Sequence, residues 1–352
     1  MKHLIFSLMA LLAFSAAPAA TRQETSAAQT AASTIPASPA AWSKPQREMM
    51  IPVEGGRVWV RIDGDLASGA VPAIMIHGGP GGTHMTFGKL FGLADERPVI
   101  AYDQLGSGLS DRPDDPADFT NGGDVDRFVR TLETIRDTLG IERWHVIGYS
   151  WGSAIALRYA AEYPQYTASA VLMGTFISTP HWIMGTNLLI RDLPDAVQAN
   201  LIACESDTPP DAATCAAANR AFYAAYNGRP DRPAPTPAED AYRAAYGGQG
   251  FNADLYNYMW GPSEFSATGT LLTYNDVPLL SKGEGKRILF LIGQYDEARL
   301  DTVQDFVKLT PGAEFGVVPG GSHAFPSERP IETEAMLRAW MERLDRAEGP
   351  AS

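Results

Sequence analysis

Gly148-Tyr149-Ser150-Trp151-Gly152 is the stretch on which the reading of this chain turns. It follows the apolar run Trp144-His145-Val146-Ile147 and opens a helix-compatible run over 153–163. A strand, a tight turn and a helix therefore meet at a serine with a glycine two residues to either side. Such a turn holds its central residue in a strained geometry, and flanking side chains larger than hydrogen would collide with neighbouring backbone. The serine hydroxyl is lifted clear of the sheet, and the N–H of Trp151 points back toward whatever that hydroxyl attacks. In a plainer reading Ser150 only caps the helix that follows. The strand before it and the helix after it favour a nucleophile.

Upstream, 49–53 and 58–62, joined through Gly55-Gly56, read as a strand pair at one edge of a sheet. Short apolar runs at 71–76 and 98–102 read as buried strands. The first ends in His77-Gly78-Gly79-Pro80-Gly81-Gly82 and the second in Asp103-Gln104-Leu105-Gly106-Ser107-Gly108. Val125, Phe128, Val129, Leu132, Ile135 and Leu139 recur at helical spacing and predict an amphipathic helix over 124–139. Downstream, 168–173 is another buried strand, after which the rhythm stops for about a hundred residues. Residues 176–276 read as Ala- and Tyr-rich helices broken by proline clusters at 209–210 and 230–236. Strand 288–292, helix 300–309, strand 314–318 and a closing helix over 331–346 complete the pattern. Strands alternating with helices describe an α/β fold, a mainly parallel sheet flanked by helices. The expected organisation is a core over 46–175 and 277–352, with a helical cap, 176–276, inserted between them.

The chain has 352 residues, 45% of them hydrophobic, enough for a large core. Its first twenty residues read differently: Lys2 and His3 precede an apolar run over 4–17, and Ala17-Pro18-Ala19 offers small residues to a signal peptidase. That run is short for a membrane span, so 1–20 is expected to be a signal peptide on an exported protein, without stable membrane insertion after its removal. Residues 21–45, dominated by Ala, Ser, Thr, Gln and Pro, are expected to be a disordered tether. Without the signal, 27 basic face 41 acidic residues, a net charge of −14 that repels nucleic acid. The two cysteines, Cys204 and Cys215, are expected to pair in an oxidising compartment, closing a short loop worth roughly 3 kcal/mol. They make a poor metal site.

Open parallel sheets bind ligands at the carboxyl ends of their strands, and four loops at that edge carry chemistry. The elbow is one. In the glycine loop at 77–82, an N–H from Gly78 or Gly79 can join that of Trp151 as an oxyanion hole, each donor worth roughly 2.7–4 kcal/mol of barrier; Gly79 is the choice. His77 braces this loop. The third loop is Gly293-Gln294-Tyr295-Asp296-Glu297 and the fourth Gly320-Gly321-Ser322-His323-Ala324-Phe325. A serine hydroxyl needs a base to take its proton, and the base needs a carboxylate to orient it. Ser150, Asp296, His323 is the chain order of the α/β-hydrolase triad. Glu297 competes with Asp296, though it also reads as a surface carboxylate; the turn favours Asp296. Of six histidines, His3 leaves with the signal, His77 sits in the glycine loop, and His84, His145 and His181 lack a suitable strand end. His323 is the expected base.

His-Gly-Gly-Pro-Gly at 77–81, Asp-Gln-x-Gly-x-Gly-x-Ser at 103–110 and Gly-Tyr-Ser-Trp-Gly at 148–152 resemble the proline iminopeptidases, with which the tricorn-interacting aminopeptidases share the pattern. The resemblance spans about 49–344 and includes the cap segment Tyr256-Asn257-Tyr258-Met259-Trp260-Gly261-Pro262-Ser263-Glu264-Phe265. It implies the α/β-hydrolase fold and assigns Glu264 to the free α-ammonium of the substrate. Ser107 stands where the family often has cysteine, 203–250 matches poorly, and Glu205 and Glu239 are candidates for a second amine-binding acid.

The expectation is a serine aminopeptidase that releases an N-terminal residue, proline or another small apolar one, from a short peptide or amino-acid amide with a free N-terminus. No metal or organic cofactor is required. An amidase, esterase or lactonase on the same triad is the alternative. A dehalogenase would want a carboxylate at the elbow, and an inactive binding protein would lack a catalytic group.

Overall fold

The apolar runs lie side by side in one eight-stranded sheet in the computed structural model, which describes residues 41–117 and 125–348. The strands are β1 (Arg47–Val53), β2 (Gly56–Asp63), β3 (Ala73–Ile76), β4 (Val99–Tyr102), β5 (Trp144–Tyr149), β6 (Thr167–Met173), β7 (Ile288–Tyr295) and β8 (Glu314–Ser322). Their order is β1-β2-β4-β3-β5-β6-β7-β8. β1 and β2 run antiparallel to their neighbours, and all pairs from β4 to β8 are parallel.

Both sheet faces are buried, as the unbroken apolar runs require. Period-two alternation splits the central strands between two cores: in β3, Ile74 and Ile76 enter one, Ala73 and Met75 the other. The first core is closed by α1 (Val125–Thr138), α2 (Trp151–Glu162) and α8 (Leu300–Lys308), and the second by α10 (Pro330–Glu348). In α1, Val125, Phe128, Val129, Leu132 and Ile135 are the buried stripe.

Between β6 and β7 lie α3 (Thr179–Ile190), α4 (Asp195–Cys204), α5 (Ala212–Tyr226), α6 (Pro237–Tyr246) and α7 (Ala253–Met259). The proline clusters fall between these helices, where caps start the next one. Asp211 accepts from the N–H groups of Ala213 and Thr214 to begin α5, and Thr236 accepts from Glu239 N–H to begin α6. Leu189, Ile190, Leu201, Ala218, Phe222 and Phe265 form a small core of their own, and a disulfide joins Cys204 to Cys215 across the α4–α5 connection.

Two differences from the sequence reading bear on the site. β8 runs on through Gly320 and Gly321 to Ser322 instead of stopping at Val318, because it pairs again with β7 (Tyr295 to Ser322) after a register shift. Gly293 permits that approach; a Cβ there would lie 2.3 Å from Ser322 O. The end of the expected tether also belongs to the fold. Trp42 is buried against the Gly88 backbone and the Tyr242 ring, and its N–H donates to Gly88 O at 2.8 Å. The expected signal, 1–20, and most of the tether lie outside the described residues. Among the described residues, no helix is long and apolar enough to cross a membrane.

Candidate active site

β5 ends at Tyr149 and α2 begins at Trp151, so Ser150 alone turns the corner, at φ 54° and ψ −123°. A side chain in this region is strained. The flanking glycines are required by contact: a Cβ on Gly152 would sit 2.1 Å from Ile76 O, and one on Gly148 2.1 Å from Gly152 O. Ser150 makes no capping hydrogen bond to α2, so the capping alternative does not hold. Ser153 Oγ–H ties the first turn instead, to Ser150 O at 2.6 Å. The Ser150 side chain borders a small cleft with Gly79, Pro80, Phe176, Trp182, Trp260, Glu264 and Leu271.

The glycine loop is locked to the elbow by Gln104. Its N–H donates to His77 Nε2 at 2.9 Å, its side-chain amide donates to His77 O at 2.8 Å, and its Oε1 accepts from Trp151 Nε1–H at 3.0 Å. His77 is fully buried, and burial lowers its pKa to about 4, so it is a neutral brace at ordinary pH. Gly79 has φ 114°, and a Cβ on Gly78 would strike Ser150 Cβ at 2.7 Å, so the loop backbone and Ser150 are in close approach. On the far side, Asn252 donates its N–H to Gly81 O at 2.9 Å and its side-chain amide to Gly106 O at 2.7 Å.

Three histidines pair with aspartates, a redundancy the sequence does not show. His84 holds Asp103 through Nδ1 at 2.8 Å and Tyr242 Oη through Nε2 at 3.1 Å; His145 lies between Ser169 Oγ (2.8 Å) and Asp345 (3.0 Å). Both are consumed by buried structural contacts. His323 differs: Nδ1 meets Asp296 Oδ1 at 2.7 Å, while the nearest carboxylate oxygen to Nε2 is Glu297 Oε1 at 3.6 Å. Asp296 is fixed from behind by the N–H groups of Gly293 (3.0 Å) and Ala298 (2.8 Å). Tyr149, next to Ser150, lays its ring 4.9 Å from the His323 ring and donates its hydroxyl to His323 O at 2.8 Å. The end of α5 holds the same loop, with His323 N–H donating to Tyr226 O at 2.8 Å. Ser150 and His323 thus flank Tyr149, and Trp182, which borders the cleft, places its ring edge-on to His323 at 5.6 Å.

Glu264 lies half-buried at the cleft wall, accepting from Tyr256 Oη–H at 2.6 Å. Neither acid offered as its companion is in the site. Glu205 is exposed at the end of α4, and Glu239 in α6 is spent on Arg243 at 2.8 Å. Another carboxylate does lie beside His323: Glu297, which is buried rather than on the surface, with Oε1 3.6 Å from His323 Nε2. Asn227 Nδ2–H donates to its Oε1 at 2.6 Å, and its Oε2 has no hydrogen-bond partner. Burial raises the pKa of both glutamates, and the charge of Glu264 lifts Glu297 further. A sequence signal existed, since Glu297 directly follows Asp296, but only burial separates it from an ordinary surface acid. For His323, burial alone would strip the proton; the carboxylates of Asp296, Glu297 and Glu264 outweigh it and hold the pKa up to about 9. Among the described residues, no group of three or more His, Cys, Asp or Glu side chains is arranged to hold a metal ion.

A model of the alpha/beta hydrolase fold family matches residues 72–330, and with the sheet order and the serine elbow this places the protein among the α/β-hydrolase serine hydrolases. The chain is 35% identical over 293 residues to the proline iminopeptidase of Heyndrickxia coagulans, covering 82% of this chain and 96% of that one. The crystal structure of the proline iminopeptidase from Mycobacterium smegmatis superposes with a TM-score of 0.74 at 30% identity, and that of VinJ with 0.75 at 30%; each comparison covers 86% of this chain and all of the other. The chain belongs to the proline iminopeptidase family, and it is an enzyme of the prolyl aminopeptidase-like kind.

Proposed function

We propose that the protein releases an N-terminal residue, proline or another small apolar one, from short peptides or amino-acid amides through an acyl-enzyme. Ser150 attacks the scissile carbonyl while His323 takes its proton and later gives it to the leaving amine; Asp296 holds the imidazole in the working tautomer. The N–H groups of Gly79 and Trp151 receive the oxyanion. The substrate's α-ammonium sits between Glu264 and Glu297, and Phe176, Trp182, Trp260 and Leu271 receive its side chain. The observation that carries this reading is the placement of two glutamates: Glu264 in the wall of the Ser150 cleft, among aromatic and aliphatic groups, and buried Glu297 with its Oε1 3.6 Å from His323 Nε2. Two carboxyl groups taken out of water suit a cationic ligand, whose charge favours their ionised form, and the small apolar wall suits a compact residue. We also propose that the chain is exported, from the charge and apolar pattern of residues 1–20.

The test separates charge from shape. Glu264→Gln keeps size but removes an anchoring charge, a loss on the order of 1.5–3 kcal/mol, so kcat/KM for free-amine amides should fall roughly ten- to a hundred-fold. For N-acetylated amides the same substitution should cause no such loss. Equal losses on the two classes would mean that Glu264 supports the cap, and cleavage of simple esters alone would move the protein to the esterase alternative.

A further inference from the structure

His323 faces a carboxylate on each of its two ring nitrogens. Asp296 Oδ1 lies 2.7 Å from Nδ1, and Glu297 Oε1 lies 3.6 Å from Nε2, the atom that must accept the serine proton. The remaining polar or charged groups around the ring come from five other places in the fold. From β5, Tyr149 keeps its hydroxyl on His323 O; from α3, Trp182 offers only an indole edge. From α5, Asn227 holds Glu297, and from the segment after α7 comes Glu264, whose charge also acts on the ring. Glu328 of the short helix α9 (Phe325–Glu328) is turned away, accepting from Ser322 N–H and Oγ–H. The charged groups acting on the ring are therefore Asp296, Glu297 and Glu264, all anionic when ionised.

We infer that the substrate's own α-ammonium switches the base on: in the empty cleft His323 is held as imidazolium between Asp296 and Glu297, and the arriving ammonium replaces it as counter-charge to Glu264 and Glu297, so that Nε2 gives its proton to solvent. The inference rests on the amine-binding reading above. It balances simply: one cation enters, one proton leaves, no bond other than N–H breaks, and Nε2 is left with the lone pair that the Ser150 hydroxyl needs. It also adds a second layer to selectivity. A substrate with a blocked amine loses its anchor and meets an enzyme whose base is already protonated. Free-amine substrates are thus favoured in kcat as well as in binding. The direction agrees with the raised imidazole in the empty site, where lowering the negative field of the glutamates is what frees the proton.

The experiment compares two pH profiles of the full chain. For p-nitrophenyl acetate, which carries no ammonium, kcat/KM reports the free enzyme; for proline p-nitroanilide, kcat reports the enzyme–substrate complex. The ester profile should rise with pH to an inflection near 9. The inflection for the anilide should lie at least about one unit lower. Glu297→Gln, with Glu264→Gln as a second variant in case the first folds poorly, should lower the ester inflection. Ester hydrolysis at neutral pH should then rise several-fold while anilide cleavage falls. A purely structural role for the glutamates would depress both. Coincident inflections in the wild type, or an ester inflection near the ordinary imidazole value, overturn the inference and leave the aminopeptidase reading standing. No preference for free-amine over N-acetylated amides at any pH overturns that reading and this inference with it.

Discussion

Ser150 is held in a strained backbone conformation at the elbow, and that strain is measurable. Its φ of 54° and ψ of −123° lie where a side chain costs of order 1–3 kcal/mol. Ser150→Ala keeps the strain and removes the hydroxyl, so turnover should fall by several orders of magnitude with the melting temperature unchanged. Ser150→Gly should be equally inactive but more stable than the alanine variant, by roughly 1 kcal/mol in chemical denaturation. Near-normal turnover in either variant would remove Ser150 from the mechanism. At this scale the sequence put Ser150, Asp296 and His323 at strand ends, and the fold has each directly after a strand, with Asp296 Oδ1 2.7 Å from His323 Nδ1. The sequence was silent on Glu297 as a buried acid. Adjacent carboxylates look alike in a sequence; both are buried, and what distinguishes them is that Asp296 turns to His323 Nδ1 and two backbone N–H groups while Glu297 keeps one oxygen without a hydrogen-bond partner.

Strands and helices were legible wherever periodicity was clean, as in α1 and β3, and boundaries shifted where pairing rather than composition set the end. β8 is the clearest case: its glycines read as a loop, yet Tyr295–Ser322 pairing carries the strand to the residue before His323. That extension fixes His323 on the sheet edge rather than on a free loop. Trp42 was missed for a related reason, since a single aromatic in a polar, Ala-rich run gives no period, and its groove at Gly88 exists only in the fold. The α4–α5 connection depends on its disulfide. Titration of the unfolded, unreduced protein should find no free thiol at Cys204 or Cys215. Reduction should destabilise α4 and α5 by roughly 3 kcal/mol in the chain-entropy view. Two titratable thiols would contradict the pairing and weaken the proposal of export.

Across the whole molecule, the segment between β6 and β7 completes the site rather than merely covering it. It contributes Trp182, Tyr256, Trp260 and Glu264 to the cleft or its support, and Tyr226 and Asn227 to the loop holding His323 and Glu297. Tyr242 of α6 reaches the other way, accepting from the fully buried Arg61 at 2.6 Å, which also pairs with Asp63 and stacks on Phe91 at 3.6 Å. Residues 203–250, where the sequence resembled the family least, therefore hold parts of the site in place through backbone groups and scattered aromatics, which leave no motif. The central claim is that this enzyme reads a free N-terminal amine. It is tested most directly by kcat/KM for proline p-nitroanilide beside its N-acetylated counterpart, both measured on the wild-type chain at neutral pH. Loss of a charged hydrogen-bonding partner in a desolvated site should cost the blocked substrate at least about a hundred-fold. Comparable rates for the two substrates would contradict it.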